Sequence, residues 1–405
     1  MRIERVVIAG AGLAGLRTAE ELRAKGYPGA ITMVGAESRP PYDRPPLTKK
    51  FMTGQLDDTT LAADPAALRL DLRLAEAATG VDGGVLRTDQ AEYPFDALVV
   101  ATGATPVGLP GRDGRRFLRT FDDACALRDA LLPGTRLAVV GAGWIGAELA
   151  TTARARGCQV TVVEAAAAPL AGAIGGDAGA VTVPWYADAG VDLLLGQPVE
   201  SVEHEGLVLP GGGWLAADLT VVAVGVRPQV EWLAGSQVKL DNGAAVDERL
   251  RTSAPGVYAA GDCAAFLSTR YGRRLRVEHW DNALHAPRVV AGNILGGDEI
   301  YDPVPYFWSE QFGRMVQYAG HHTSADRLLW RGDPAGQTWA ACWLAGPRPA
   351  GPGGAPGTGE RLVALLTVGR PRDLLQGRRA IAAGYPVDPG RLADPDIPVR
   401  DAGTS

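Results

Sequence analysis

Gly10-Ala11-Gly12-Leu13-Ala14-Gly15 closes the apolar run Val6-Val7-Ile8-Ala9, and Gly141-Ala142-Gly143-Trp144-Ile145-Gly146 closes Leu137-Ala138-Val139-Val140. A glycine turn between strand and helix lets backbone N–H groups approach a pyrophosphate, because no Cβ blocks the way and the helix N-terminus is electropositive. Around the first turn the chain reads as strand, turn, a helix from Leu16 to Lys25 stopped by Gly26, and a buried strand Ile31-Thr32-Met33-Val34. Glu37 follows 22 residues after Gly15, where a carboxylate accepts hydrogen bonds from the ribose hydroxyls of an adenosine. The pattern restarts at Arg136 with a strand, the second turn, a helix through Glu148 to Arg156, Gly157 as stop, strand Val160 to Val163, and Glu164. This approximate duplication predicts two bound dinucleotides and electrons passing between them.

Two further strands end in glycine and read as late strands of each nucleotide fold. Ala97-Leu98-Val99-Val100 enters Ala101-Thr102-Gly103, and Leu219 to Val222 enters Ala223-Val224-Gly225-Val226-Arg227-Pro228. The Gly- and Pro-rich segment Pro106 to Gly114 reads as a first crossing between domains, and Gly235 to Gly243 as the return. Gly346 to Gly359 has few large apolar residues and is expected to be a mobile loop in the last domain.

Length and composition bound the possibilities. At 405 residues and 46% apolar content the chain is sized for two or three domains with proper cores. A formal net charge of -6 gives no basic footprint for nucleic acid, so none is expected as a partner. Cys125, Cys158, Cys263 and Cys342 are far apart with no CxxC pair, which points away from a disulfide framework or zinc site and towards a reducing cytoplasm. The apolar start, Ile3 to Ala9, carries Glu4 and Arg5 and runs straight into a glycine turn, unlike a signal peptide. No apolar stretch is long enough to span a bilayer, and no membrane partner is expected. None of the five histidines has partners at metal-ligand spacing, so no metal is expected.

Several segments carry a resemblance. They are Arg39-Pro40-Pro41-Tyr42-Asp43-Arg44-Pro45-Pro46-Leu47-Thr48-Lys49, the Ala101-Thr102-Gly103-Ala104-Thr105-Pro106 strand end, and the second glycine turn. Val257-Tyr258-Ala259-Ala260-Gly261-Asp262, Glu278-His279-Trp280-Asp281-Asn282-Ala283, Pro305-Tyr306-Phe307-Trp308-Ser309-Glu310-Gln311 and Leu392-Ala393-Asp394-Pro395 complete the set. Together they span nearly the whole chain. The chain resembles the FAD-dependent ferredoxin reductases of oxygenase electron-transfer chains, which serve Rieske dioxygenases and haem-thiolate monooxygenases. These are relatives of the glutathione reductase superfamily and of apoptosis-inducing factor.

The resemblance implies an α/β fold with two Rossmann-like dinucleotide-binding domains of glutathione reductase type and a C-terminal α+β domain. The implied FAD domain is discontinuous, 1–107 and 236–304, with an NADH domain at 108–235 and an acceptor-interface domain at 305–405. By the same likeness Gly10, Gly12, Leu13, Ala14, Gly15, Glu37, Arg44, Thr102, Gly103, Gly261, Asp262, Glu278, His279 and Trp280 belong to cofactor binding. Asp262 is assigned to the ribityl and phosphate region, and Glu278, more loosely, to the nicotinamide pocket. Gly141, Gly143, Ile145, Gly146, Glu164 and Gly225 belong to the nicotinamide nucleotide.

The implied catalytic set is Lys49, Glu148, Trp280 and Trp308. Lys49 matches a lysine beside the flavin N5 that polarises the ring, and Glu148 the carboxylate that holds its ammonium, where the bland alternative is a surface helix residue. Trp280 and Trp308 match aromatics beside the isoalloxazine, against a bland reading of core packing. Asn282 to Ala291 reads as a helix that Pro287 is placed to kink, its positive end facing the pyrimidine side of the flavin.

Charge favours NADH over NADPH. Glu164 is followed by Ala165-Ala166-Ala167-Ala168, with no cation to receive a 2′-phosphate. A like-charge contact near 4 Å costs on the order of 4 kcal/mol at an effective dielectric of about 20, and about 1.4 kcal/mol is already tenfold in affinity. Residues 38–60 hold no cysteine, so electrons that reach FAD must leave without a thiol relay. The expected exit is one electron at a time to an iron-sulfur ferredoxin, in a transient, electrostatically steered complex with a monomer or homodimer. The clusters Arg270, Arg273, Arg274, Arg276 and Arg370, Arg372, Arg378, Arg379 are the two candidates for steering, against solvated faces. Two rivals remain at this stage: an NADH oxidase or peroxide reductase of the same fold, disfavoured by the absent cysteine, and an interaction protein like apoptosis-inducing factor. One departure from the pattern is Gly369, where the resembled proteins usually carry asparagine.

Overall fold

The structure, a computed structural model, describes residues 3–111, 115–347 and 359–404. Most of the proline- and glycine-rich stretch expected to be a loop, 348–358, lies outside the described residues. The chain divides into two compact units, one of Met1–Pro45, Asp58–Thr105 and Val226–Pro303, the other of Pro46–Asp57, Pro106–Gly225 and Val304–Ser405.

The first unit is built on a parallel five-stranded sheet in the order Val257–Ala259, Ala97–Val100, Arg5–Ala9, Ala30–Gly35, Leu70–Leu74. Its inner strands read as continuous apolar runs, while the edge strand Leu70–Leu74 alternates with exposed Asp71 and Arg73, and Ile8, Met33, Leu98 and Val99 have no exposed surface. The helix Leu13–Ala24 packs beside the long helix Trp280–Ile294. That second helix continues past Pro287, which forgoes only its own bond to the carbonyl one turn back. Residues 226–235 belong to this unit, with Val230 and Leu233 buried in its core.

The second unit repeats the plan. Its parallel sheet runs Asp192–Leu195, Gln159–Glu164, Arg136–Val140, Leu219–Val222, Arg115–Arg116. The duplication holds at the level of single bonds: Gly10 N donates to Val34 O and Gly141 N to Val163 O, both at 2.8 Å. Ala101 N donates to Ala9 O at 2.7 Å, and Ala223 N to Val140 O at 2.8 Å. The expected α/β class with paired Rossmann-like folds is therefore borne out.

An antiparallel sheet follows in this unit, ordered Tyr306–Gln311, Arg314–Gly320, Glu360–Val368, Trp339–Ala345, Arg327–Arg331, with Pro386–Val387 paired to Glu360–Val368. One buried cluster joins Leu170, Ile174 and Trp185 to Val316, Trp339 and Leu366. On the other face the helix Pro371–Ala383 is held by Arg331, 1% exposed, whose guanidinium donates to Asp373 at 2.9 Å and to the tail carbonyls of Leu392 at 3.0 Å and Ile397 at 2.8 Å. Buried charge is tolerated there because it is paired and its donors are used. Gly369 has φ +64°, a left-handed position where asparagine and glycine are the residues best tolerated. A Cβ there would lie 2.9 Å from Thr338 Cγ2, which gives glycine the advantage in this chain.

Candidate functional site: two glycine turns and a buried lysine–glutamate pair

Within each turn the three glycines do different work. A Cβ on Gly10 would stand 2.1 Å from Ala101 O, and one on Gly15 1.9 Å from Gly10 O. In the second turn the corresponding distances are 2.5 Å from Gly141 to Ala223 O and 2.0 Å from Gly146 to Gly141 O. Gly10 and Gly141 let the turn close on the end of the neighbouring strand, and Gly15 and Gly146 let the helix close on the turn. The middle glycines face open space: Gly12 would meet nothing within 4 Å, and Gly143 only Ala223 O at 4.0 Å. Both are helix N-caps without a side chain to satisfy the first N–H groups. An uncapped helix start lined by open backbone is what a pyrophosphate requires, so the residues present fit a dinucleotide at each turn. The helices start at Leu13 and Trp144, the first of them ahead of the Leu16 read from the sequence, because the third glycine of each turn lies inside the first helical turn.

In the first unit, Leu13 borders the turn and Ala14 is buried against Gly261, whose φ is +78° and whose Cβ would come 3.1 Å from that of Ala14. Asp262 follows, half-buried. Glu37 accepts hydrogen bonds from Tyr42 Oη and Arg44, each at 2.6 Å, and Arg44 lies over the Tyr42 ring. Thr102 Oγ1 donates to Gln229 O at 2.6 Å, and Gln229 N to Gly103 O at 2.9 Å. Trp280 Nε1 donates to Asp43 Oδ1 at 2.7 Å, tying the loop after Glu37 to the start of the long helix. Burial pushes the Asp43 carboxyl above its usual range, and the indole bond opposes that shift. His279 stands at the N-cap position of this helix without a side-chain capping bond, and Glu278, exposed, pairs with Arg276 at 2.5 Å.

In the second unit, the short segment Pro46–Asp57 is bound to the helix Trp144–Ala155 and the residues after it. Thr152 Oγ1 donates to Thr48 O at 2.7 Å, Arg156 donates to Met52 O at 2.7 Å, and Phe51 packs on Phe121 with its ring centroid 4.7 Å away. The structure thereby brings Lys49 and Glu148 together: Lys49 Nζ lies 2.6 Å from Glu148 Oε2, with side-chain exposures of 17% and 4%. Thr48 Oγ1 donates to the same oxygen at 2.5 Å, and Ser309 Oγ donates to Oε1 at 2.6 Å. Lys50 is exposed. Trp308 stacks on Tyr306, ring centroids 6.0 Å apart, and Trp144 packs on Phe307.

Glu164 accepts from Ala142 N at 2.7 Å and Ala166 N at 2.8 Å, fixing the carboxylate beside the turn with acceptor capacity to spare. Ala165 and Ile145 are exposed, and a Cβ on Gly225, φ +111°, would meet nothing within 4 Å. The sequence reading missed Thr48, Asp43 and Ser309 as partners. Only the strand alternation of Ser309 and Gln311, which puts both on one face, carried a signal. Cys263 is fully buried, and burial pushes its thiol up to about 11, which suits a packing residue better than a redox group. No helix among the described residues is long and apolar enough to cross a membrane.

This pairing of nucleotide turns defines a class. The pyridine nucleotide-disulphide oxidoreductase family matches residues 4–286, and the reductase C-terminal family matches 306–352 and 357–403. The chain belongs to this family of oxidoreductases, and the resemblance drawn from its motifs is borne out. It is 35% identical to the ferredoxin–NAD(+) reductase component of the anthranilate 1,2-dioxygenase system of Burkholderia cepacia, over 99% of each chain. It is 31% identical to putidaredoxin reductase of Pseudomonas putida, over 98% of this chain and 96% of that one. Among solved structures, the covalent putidaredoxin reductase–putidaredoxin complex superposes with a TM-score of 0.90 at 30% identity, covering 98% of both chains.

Proposed function

We propose that this protein is an FAD-dependent NADH:ferredoxin oxidoreductase that transfers hydride from NADH to FAD and then single electrons to an iron-sulfur ferredoxin supplying an oxygenase. The observation that carries the reading is on one rigid element. The helix that starts at the second nucleotide turn presents, one turn further on, the buried Glu148 that holds Lys49. Bound FAD supplies the conversion from a two-electron donor to a one-electron acceptor.

The residues divide the work. Gly10, Gly12 and Gly15 admit the FAD pyrophosphate, with Glu37 and Arg44 at the adenosine side and Thr102, Gly103, Gly261 and Asp262 along the body of the cofactor. Gly141, Gly143 and Gly146 admit NADH, Glu164 takes its ribose hydroxyls, and Ile145 and Gly225 border it. Lys49, oriented by Glu148, places a positive charge where the flavin gains electrons. By the resemblance, His279 and Trp280 on the first unit and Trp308 on the second are each assigned to the flavin, and Glu278 to the nicotinamide pocket. The FAD domain is assigned to 1–107 and 236–304, the NADH domain to 108–235 and the acceptor domain to 305–405; the compact units depart from this at two places, since Val226 to Gly235 packs in the first unit and Pro46–Asp57 in the second.

Docking of the ferredoxin is transient and steered by charge. Arg274, Arg276 and Arg370 are engaged with internal partners, whereas Arg372 and Arg379 share the exposed face of the helix Pro371–Ala383 with Leu375. These two arginines suit an acidic partner, and raising salt slows the reaction with it. A reducing compartment such as the cytoplasm suits the unpaired thiols. The test is to purify the protein, confirm FAD release on denaturation, and titrate candidate ferredoxins in NADH-driven cytochrome c reduction. Ferredoxin-dependent turnover supports the reading. Failure with every iron-sulfur acceptor alongside fast quinone or oxygen reduction overturns it.

A further inference from the structure

Glu148 is held from two sides, and one side comes from two residues, Ser309 and Gln311, that have no assigned role. Ser309 and Gln311 sit at alternating positions of Tyr306–Gln311, both with no exposed surface. Ser309 Oγ donates to Glu148 Oε1 at 2.6 Å, and Gln311 Nε2 donates to Ser309 Oγ at 3.1 Å. Serine has one proton to give, so an amide donor behind it commits that proton to the carboxylate. The other carboxylate oxygen is left to Thr48 and Lys49. The arrangement leaves Gln311 Oε1 buried without a hydrogen-bond partner. An orphaned buried acceptor costs about 1–3 kcal/mol and is expected where function retains it.

We infer that Ser309 and Gln311 are positioning residues that fix the orientation of Glu148, and through it the ammonium of Lys49, for the reduction of the flavin by NADH. The inference rests on the function proposed above and deepens it. Both residues act through Glu148. Their action is to keep Oε2 turned towards Lys49, since a carboxylate with a free Oε1 can rotate or be rehydrated and lets the lysine leave its place.

The chain has four lysines, Lys25, Lys49, Lys50 and Lys239, so lysine-specific isotope labelling gives a spectrum in which the Lys49 ammonium is assigned by a single substitution. The FAD-loaded full chain is compared with Ser309→Ala, Ser309→Cys and Gln311→Met by this spectrum and by anaerobic rapid mixing with NADH. In Ser309→Ala the Lys49 signal shifts or broadens and the saturating rate of flavin reduction falls about 3- to 10-fold, with the Kd for NADH unchanged, as expected when one hydrogen bond to a charged group is lost. Ser309→Cys, which keeps the shape and weakens the donor, falls between, and Gln311→Met gives a smaller loss of the same kind. An unchanged Lys49 signal, or an unchanged rate despite a changed signal, overturns the inference. Absence of reduction by NADH in the unsubstituted protein instead overturns the proposed function.

Discussion

Lys49 Nζ and Glu148 Oε2 are 2.6 Å apart in a neighbourhood where the carboxylate keeps only 4% of its side-chain exposure. A pair so placed acts as a unit, because either partner alone loses its orienting bond. Lys49→Met and Glu148→Gln are each expected to slow flavin reduction by NADH about 10- to 100-fold, and the double variant to be no slower than the worse single one. Rapid-mixing kinetics of the four proteins check this, and additive losses would separate the two residues.

The glycine turns predict different failures at neighbouring positions. Gly15→Ala forces a Cβ against the Gly10 carbonyl and should destabilise the first unit by about 2–4 kcal/mol in denaturant unfolding. Gly12→Ala meets no protein atom, so the fold should survive while FAD retention weakens. Gly143→Ala should leave FAD bound and raise the KM for NADH several-fold, read in steady-state assays with ferricyanide.

Nucleotide choice should turn on Glu164 and Ala165. Replacing the carboxylate and supplying a cation, as in Glu164→Ala with Ala165→Arg, should move the ratio of kcat/KM for NADPH over NADH upward by at least about tenfold. Because Glu164 also accepts from Ala142 N and Ala166 N, Glu164→Gln alone should cost some NADH affinity without granting NADPH preference.

His322 gives the second unit an acid-side sensitivity. Its ring lies against Trp343, Nδ1 is 3.0 Å from Tyr318 Oη, and burial lowers its pKa below the ordinary 6.5. The unfolded chain therefore takes up a proton near 6.5 that the folded protein resists. Stability from the neutral ring is fully present above that pH and is lost as pH falls towards the lowered folded value. Denaturant unfolding from neutral pH down to about 5.5 should show this slope, and His322→Gln should flatten it.

Much of the frame was legible because it is local. Ala97–Val100 and Leu219–Val222 have the bounds that their apolar runs indicate, and both turns announced strand, helix and terminal glutamate within one βαβ unit. The first helix start was read late because a glycine looks like a breaker, although Gly15, like Gly146, is in the first turn for close packing. What stayed hidden is long-range. Nothing near Pro46–Asp57 says that it packs on a helix about a hundred residues later, and Trp280 reaches Asp43 across 237 residues. Ser309 was readable as part of a motif, but its bond to Glu148 depends on a sheet whose placement no local pattern encodes.

The most direct test is a two-stage anaerobic experiment on the purified protein, following flavin absorbance after mixing with NADH and then with an oxidised iron-sulfur ferredoxin. The account predicts that NADH bleaches the flavin band and that ferredoxin restores it while the ferredoxin is reduced, two equivalents for each NADH consumed. A protein that carries no FAD, or whose reduced flavin stays bleached after an oxidised ferredoxin is added, would contradict it.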